Sequence, residues 1–119
     1  MRHPRNMEPS WYAVRCVFRS AWTQTTEGVT PEEQLYEERI TLWQATSLEE
    51  AIALAEAEAL EYAGEMDEYL EIAQAYQLYD EPGHGVEVFS LMRTSRLEPD
   101  EYLDTFFDTG DERQQVLED

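Results

Sequence analysis

The chain contains no lysine, so all eight of its cationic side chains are arginines, against 27 Asp and Glu residues. The formal net charge is −19 at pH 7. The imbalance is local, because residues 40–92 carry twelve carboxylates and no arginine. A surface this negative repels nucleic-acid phosphates and anionic lipid headgroups. The composition therefore disfavours nucleic acid and membranes as partners, whereas it favours a basic protein or serves solubility alone.

Cysteine is almost absent, and the single Cys16 excludes an intramolecular disulfide. No stretch approaches the roughly 18 consecutive apolar residues that a membrane-spanning helix needs. Residues 1–10 lack the apolar centre of a secretory signal peptide. These absences predict a cytoplasmic protein with no membrane association.

Motifs for catalysis and cofactor binding are also missing. The chain has no Gly-rich phosphate loop, no nucleophile elbow and no dinucleotide fingerprint. Asp80, Glu81 and His84 lie within one turn, but their spacing matches no common metal site and is typical of a solvated hairpin tip. We therefore expect no catalytic residue, no metal and no cofactor.

Enough apolar material is present for one folded domain. The 119 residues are 42% hydrophobic and include three Trp, seven Tyr and four Phe. We predict a flexible leader over residues 1–10, a single domain over residues 11–107 and a flexible acidic tail over residues 108–119.

Two strands are predicted in the first half. Residues 11–22 alternate in polarity, which indicates a strand with its even-numbered side chains toward the core. Those core residues are Tyr12, Val14, Cys16 and Phe18. A polar loop containing Gly28 and Pro31 follows. Residues 36–45 form the second predicted strand, with Ile40 and Leu42 expected to face the core.

A helix is predicted next. Ser47 and Glu50 have the spacing of a capping box, and Gly64 marks the expected end of the helix. Apolar residues recur every three or four positions and predict a buried stripe of Leu48, Ile52, Ala55, Ala59 and Tyr62. The opposite side is expected to carry a glutamate row of Glu49, Glu56, Glu58 and Glu61.

The second half predicts another hairpin and a short helix. Residues 69–79 and 86–94 have strand character, and residues 80–85 between them contain one proline and two glycines. Residues 97–107 then suit a short amphipathic helix with Pro99 in its first turn. The predicted fold class is α+β, with a four-stranded, mainly antiparallel sheet in β-β-α-β-β order. One long helix lies on one sheet face, and a short C-terminal helix follows. Strand order stays open.

Three segments of this layout are distinctive: residues 11–15 (WYAVR), residues 36–43 (YEERITLW) and residues 47–51 (SLEEA). They resemble a small bacterial family of domains of unknown function, numbered forty-two eighty-eight. Residues 69–79 and 86–90 are similar to the second half of that family. The resemblance covers roughly residues 10–108 and implies a fold layout and a bacterial cytoplasmic setting, with no activity attached.

One helix can cover only one face of the predicted sheet. The other face is expected to carry Trp11, Arg15, Arg19, Arg39 and Trp43, together with Tyr79 and Phe89. Contiguous aromatic surface of this kind is usually buried by something. The short C-terminal helix, through Phe106 and Phe107, a second copy of the chain, or a different partner could each cover it.

These patterns predict a non-catalytic acidic interaction domain that forms a homodimer or binds a basic protein through its sheet face and acidic helix. The predicted partner-binding residues are Trp11, Arg15, Arg19, Arg39, Trp43, Glu49, Glu56 and Glu61. One alternative is nucleic-acid or small-ligand binding on the Arg/Trp face, which the net charge disfavours. A second alternative is an immunity-type inhibitor of a basic toxin or nuclease.

Overall fold

A computed structural model of the chain describes residues 8–21 and 33–113. Three strands, β1 (Ser10–Ser20), β2 (Leu35–Ala45) and β3 (Glu68–Gln77), form an antiparallel sheet in the order β2-β1-β3. Helix α1 (Leu48–Ala63) connects β2 to β3. A short α2 (Pro99–Tyr102) continues as a π-helical turn over Leu103–Phe107. The α+β class, the long helix and the short C-terminal helix are therefore confirmed.

The central strand β1 behaves as its alternation predicts. Its even-numbered side chains are buried under α1 in one core cluster, and they are Tyr12, Val14, Cys16 and Phe18. Phe18 and Val14 are the largest fully buried side chains among the described residues. The prediction for this strand is confirmed because only one of its two sides is consistently apolar.

The prediction of which β2 residues face the core is wrong by one residue. Residues directly opposite each other in an antiparallel pair lie on the same side of the sheet. Tyr12 pairs with Trp43 and Cys16 pairs with Arg39, so Trp43 and Arg39 lie on the α1 side. Ile40 and Leu42 consequently lie on the opposite side and are exposed. Apolar residues occupy both odd- and even-numbered positions of β2, so its register with β1 decides which of them face the core.

A fourth strand does not form among the described residues. Residues 86–94, predicted as a strand, have no strand conformation. Leu78 N–H still donates to the Trp11 carbonyl at 2.9 Å, and beyond it the chain leaves the sheet edge. The connection over residues 80–85 is too long to impose the register of a tight hairpin. Phe89 instead lies over the sheet, 5.2 Å from the Arg15 guanidinium and 6.0 Å from the Tyr76 ring.

Helix α1 begins at a capped N-terminus and packs through small side chains. The Ser47 hydroxyl accepts the Glu50 N–H at 3.0 Å, while the Glu50 carboxylate accepts the N–H of Thr46 rather than that of Ser47. The buried stripe is Ala51, Ala55, Ala59 and Ala63. Leu48 and Tyr62, predicted in this stripe, are 42% exposed because they lie at the helix ends.

A bulge in β3 keeps its aromatic side chain on the core side. Between the pairs Cys16–Ala73 and Phe18–Tyr69, β3 has two more residues than β1. Glu71, within this bulge, has a φ of 61° in the left-handed region. Because the number of extra residues is even, Tyr69 stays on the α1 side and its ring lies 5.4 Å from that of Phe18.

Replacing Ala59 with leucine is expected to lower the free energy of unfolding by about 1–3 kcal/mol. Ala59 has no exposed surface, so the added carbons would overpack the contact between α1 and the sheet. The same replacement at the exposed Ala57 should change it by less than about 0.5 kcal/mol. Urea unfolding measures both, and equal effects would contradict the close packing of α1.

Candidate interaction surface

The structure separates the eight residues predicted to bind a partner. Trp11, Arg15 and Arg19 lie on the open side of the sheet, whereas Arg39 and Trp43 lie on the α1 side. Glu49 and Glu61 are exposed on α1. Glu56 is half-buried beside the sheet. The predicted face of two tryptophans and three arginines therefore does not exist as one surface.

Arg39 of β2 binds side chains of α1. Its Nη1 and Nη2 donate to the two carboxylate oxygens of Glu58 at 2.7 and 2.9 Å. The guanidinium also lies 3.7 Å from the centre of the Tyr62 ring. The hydrogen bonds from Arg39 hold the pKa of Glu58 below its usual range. Bidentate pairing and ring stacking together fix one orientation of the arginine, so it is engaged within the chain.

Glu56, on the other flank of α1, also forms a hydrogen bond within the chain. The Tyr69 hydroxyl donates to the Glu56 carboxylate at 2.6 Å. Burial, followed by this hydrogen bond, raises the pKa of Tyr69, and burial is also the main cause that raises the pKa of the Cys16 thiol. Both groups therefore stay protonated at neutral pH. A protonated, buried thiol is a poor nucleophile.

Trp43 is also held within the chain. Its indole N–H donates to the Thr41 hydroxyl at 2.6 Å, and its ring packs against the core cluster beneath α1. The arginine and tryptophan on β2 that suggested base stacking are thus turned away from the open side.

The open side of the sheet is covered unevenly. Phe89 lies over Arg15 of β1 and Tyr76 of β3, and Ala13 on the same side of the sheet is fully buried. On β2, Tyr36, Ile40 and Leu42 are 54%, 44% and 39% exposed. We call these three residues, with the half-buried Trp11 and Val17 beside them on β1, the docking face.

The open side carries little net charge despite the acidity of the chain. Among its register-paired residues the charged ones are Arg15, Arg19, Glu38 and Glu68, which sum to zero. Arg15 pairs with Glu38 at 3.4 Å, and Arg19 pairs with Glu68. Arg15 also donates to Gln74. In a chain of net charge −19, this side is therefore locally neutral.

An open cleft of about 780 Å³ adjoins one end of the docking face. Tyr36 lines it on the sheet side, and Phe106 and Phe107 line it on the side of the C-terminal helix. Among the described residues, no Cα of residues 99–107 lies within 8 Å of a Cα in β1–β3 or α1. The C-terminal helix thus leaves the docking face uncovered.

The exposed apolar residues of β2 are the candidate site that the sequence pattern missed. A signal for them was present, because Arg39 at the start of the predicted core run suits an ion pair with a helix glutamate. Pairing Arg39 with Glu58 would have placed the odd-numbered residues of β2 under α1. The charged residues of β2 and α1, rather than their apolar residues, indicated which side of β2 faces the helix.

Taken together, these features define a small α+β domain whose three-stranded sheet has a helix on one side and an uncovered apolar region on the other. The family model for DUF4288, described as a domain of unknown function, matches residues 11–90. The chain therefore belongs to the DUF4288 family. No curated protein and no solved structure matches it.

No group of three or more His, Cys, Asp or Glu side chains in residues 8–21 and 33–113 is arranged to hold a metal ion. Within the same ranges, every helix is too short or too polar to cross a membrane.

Replacing Glu58 with glutamine is expected to lower the free energy of unfolding at pH 7 by up to about 1 kcal/mol. The folded-state pKa of Glu58 lies below its unfolded value, so its contribution is present above the unfolded pKa and is lost as pH falls through the folded pKa. The difference from the original chain should therefore shrink in acid.

Glu61 to glutamine is the matched control for that measurement, since Glu61 is exposed on the same helix. It removes one negative charge without removing the Arg39 contact, so it should not destabilise the fold. Urea unfolding of the three proteins at several pH values makes the comparison. A Glu58 effect that does not change with pH would argue against the ion pair as its source.

Proposed function

We propose that this chain is a non-catalytic interaction domain that associates with a second copy of itself through the docking face. The observation that carries the proposal is an exposed apolar region on a locally neutral side of a strongly acidic chain. Exposed apolar surface of this kind is characteristic of association sites, whereas isolated apolar side chains are not.

The charge distribution supports a second copy as the partner. Two copies of net charge −19 repel each other at most orientations, and the repulsion is weakest where the open sides meet. Symmetric dimers are the commonest soluble oligomers and use the same surface on both subunits. A neutral apolar surface meets the requirement of self-complementarity without opposing charges.

The free edge of β2 adds to this surface. β2 is 11 residues long and is an edge strand among the described elements, because β1 is its only neighbour in the sheet. Exposed edges of this length are usually protected in stable proteins. Association along or over β2 would protect the edge and bury Tyr36, Ile40 and Leu42 together.

A basic protein bound to the acidic surface is the second candidate function. It is supported by exposed Glu49 and Glu61 on α1 within the arginine-free stretch of residues 40–92. An immunity-type inhibitor is one form of this candidate. Glu56 and Glu58 would contribute less than their exposure on an isolated helix suggests, because Tyr69 and Arg39 already bind them.

Nucleic-acid binding on the open side has weaker support. Arg15 and Arg19 remain there, but each is already paired with a carboxylate. Salt distinguishes the candidates, because added salt screens the repulsion between acidic copies and weakens the attraction of basic proteins.

Replacing Ile40 with glutamate is expected to weaken self-association at least about tenfold, because a charge would be buried in an apolar contact. Sedimentation equilibrium of the full chain over a range of concentrations measures the effect. Leu60 to glutamate is the matched control, since Leu60 is 62% exposed on α1 and the charge change is the same.

The control should sediment as the original chain does. A chain that is monomeric at every concentration and ionic strength tested would contradict the proposal, as would equal weakening by the two substitutions.

A further inference from the structure

The C-terminal helix has an apolar surface that the described part of the chain leaves exposed. Leu103, Phe106 and Phe107 are 47%, 44% and 74% exposed. Its internal contacts are local, because Arg93 donates to the Tyr102 hydroxyl at 2.8 Å and lies 4.3 Å from the centre of the Phe106 ring. These contacts order the helix but leave most of Phe107 in solvent.

The docking face alone is small for a stable dimer. An 11-residue strand is about 36 Å long, and the uncovered region is about two strands, or roughly 10 Å, wide. The resulting area of about 360 Å² is less than half of the about 800 Å² per partner in a standard interface. A stable dimer therefore needs further surface, and the C-terminal helix is the uncovered apolar element nearest to it.

The C-terminal helix is acidic, whereas the open side of the sheet is locally neutral. Residues 98–108 contain five carboxylates and no cation. The open side of the sheet holds Arg15 and Arg19, and the Arg19 side chain is 48% exposed. Because each copy has both surfaces, a two-fold arrangement would place the acidic helix of each copy on the side of the other where the repulsion is weakest.

The geometry points to a reciprocal exchange in which the C-terminal helix of each copy packs on the docking face of the other. This inference rests on the proposed self-association and specifies how it is achieved. Leu103, Phe106 and Phe107 would cover Ile40 and Leu42, and the cleft beside Tyr36 would close. Because Phe89 packs on the sheet, the connection that can extend is residues 90–98. It can span up to about 30 Å, which is about three times the width of the docking face.

Cross-linking between two full-length variants tests the exchange. One variant carries Ile40→Cys and the other carries Phe107→Cys, and the two are mixed with a short bis-maleimide. The native Cys16 is buried on the other side of the sheet and gives the background in the unsubstituted chain. We expect a cross-linked heterodimer at least about tenfold more abundant than that formed by Ile40→Cys mixed with Leu60→Cys, whose thiol is exposed on α1.

Other outcomes overturn the inference in distinguishable ways. Cross-linking only between two Ile40→Cys chains would mean that the docking faces meet without the helix, which retains the proposed function. Rapid cross-linking within a single chain that carries both cysteines, with no heterodimer in the mixture, would mean that the helix folds onto its own sheet. Absence of any cross-link, together with monomeric sedimentation, would remove both proposals.

Discussion

The close contact between α1 and β1 is the constraint on which the rest of the structure depends. Four alanines at every fourth position give the helix a surface without long side chains, so its backbone can lie near the sheet. The even-numbered residues of β1 fill the remaining space, and Phe18 is the largest of them that is fully buried. Because this contact is narrow, the two flanks of the helix are attached separately to the outer strands.

Those attachments are polar, and they explain why acidic residues on α1 have different roles. Glu58 binds Arg39 on β2, whereas Glu56 binds Tyr69 on β3. The two carboxylates lie on opposite flanks of the alanine stripe and fix the helix to both outer strands. With Arg39 on the helix side, Tyr36, Ile40 and Leu42 of β2 lie on the opposite side. The same register that secures the helix thus creates the docking face.

The structural predictions were correct for segments whose residue pattern is compatible with only one arrangement. The alternation of β1 and the Ser47 cap of α1 are local features with clear physical requirements, and the structure has both. The prediction placed Ile40 and Leu42 on the wrong side because β2 has apolar residues at both odd- and even-numbered positions. Residues 86–94 have β-type composition, but Phe89 finds Arg15 and Tyr76 on the sheet face instead of a partner at the sheet edge.

By itself, the sequence determined the α+β class, the side of β1 that faces the core and the concentration of negative charge, because each depends on neighbouring residues or on composition. Only the tertiary structure decided which side of β2 is exposed and which glutamates are available to a partner. The reason is that strand register and the pairs Arg39–Glu58 and Tyr69–Glu56 join residues distant in the chain. The candidate interaction surface belongs to this second group.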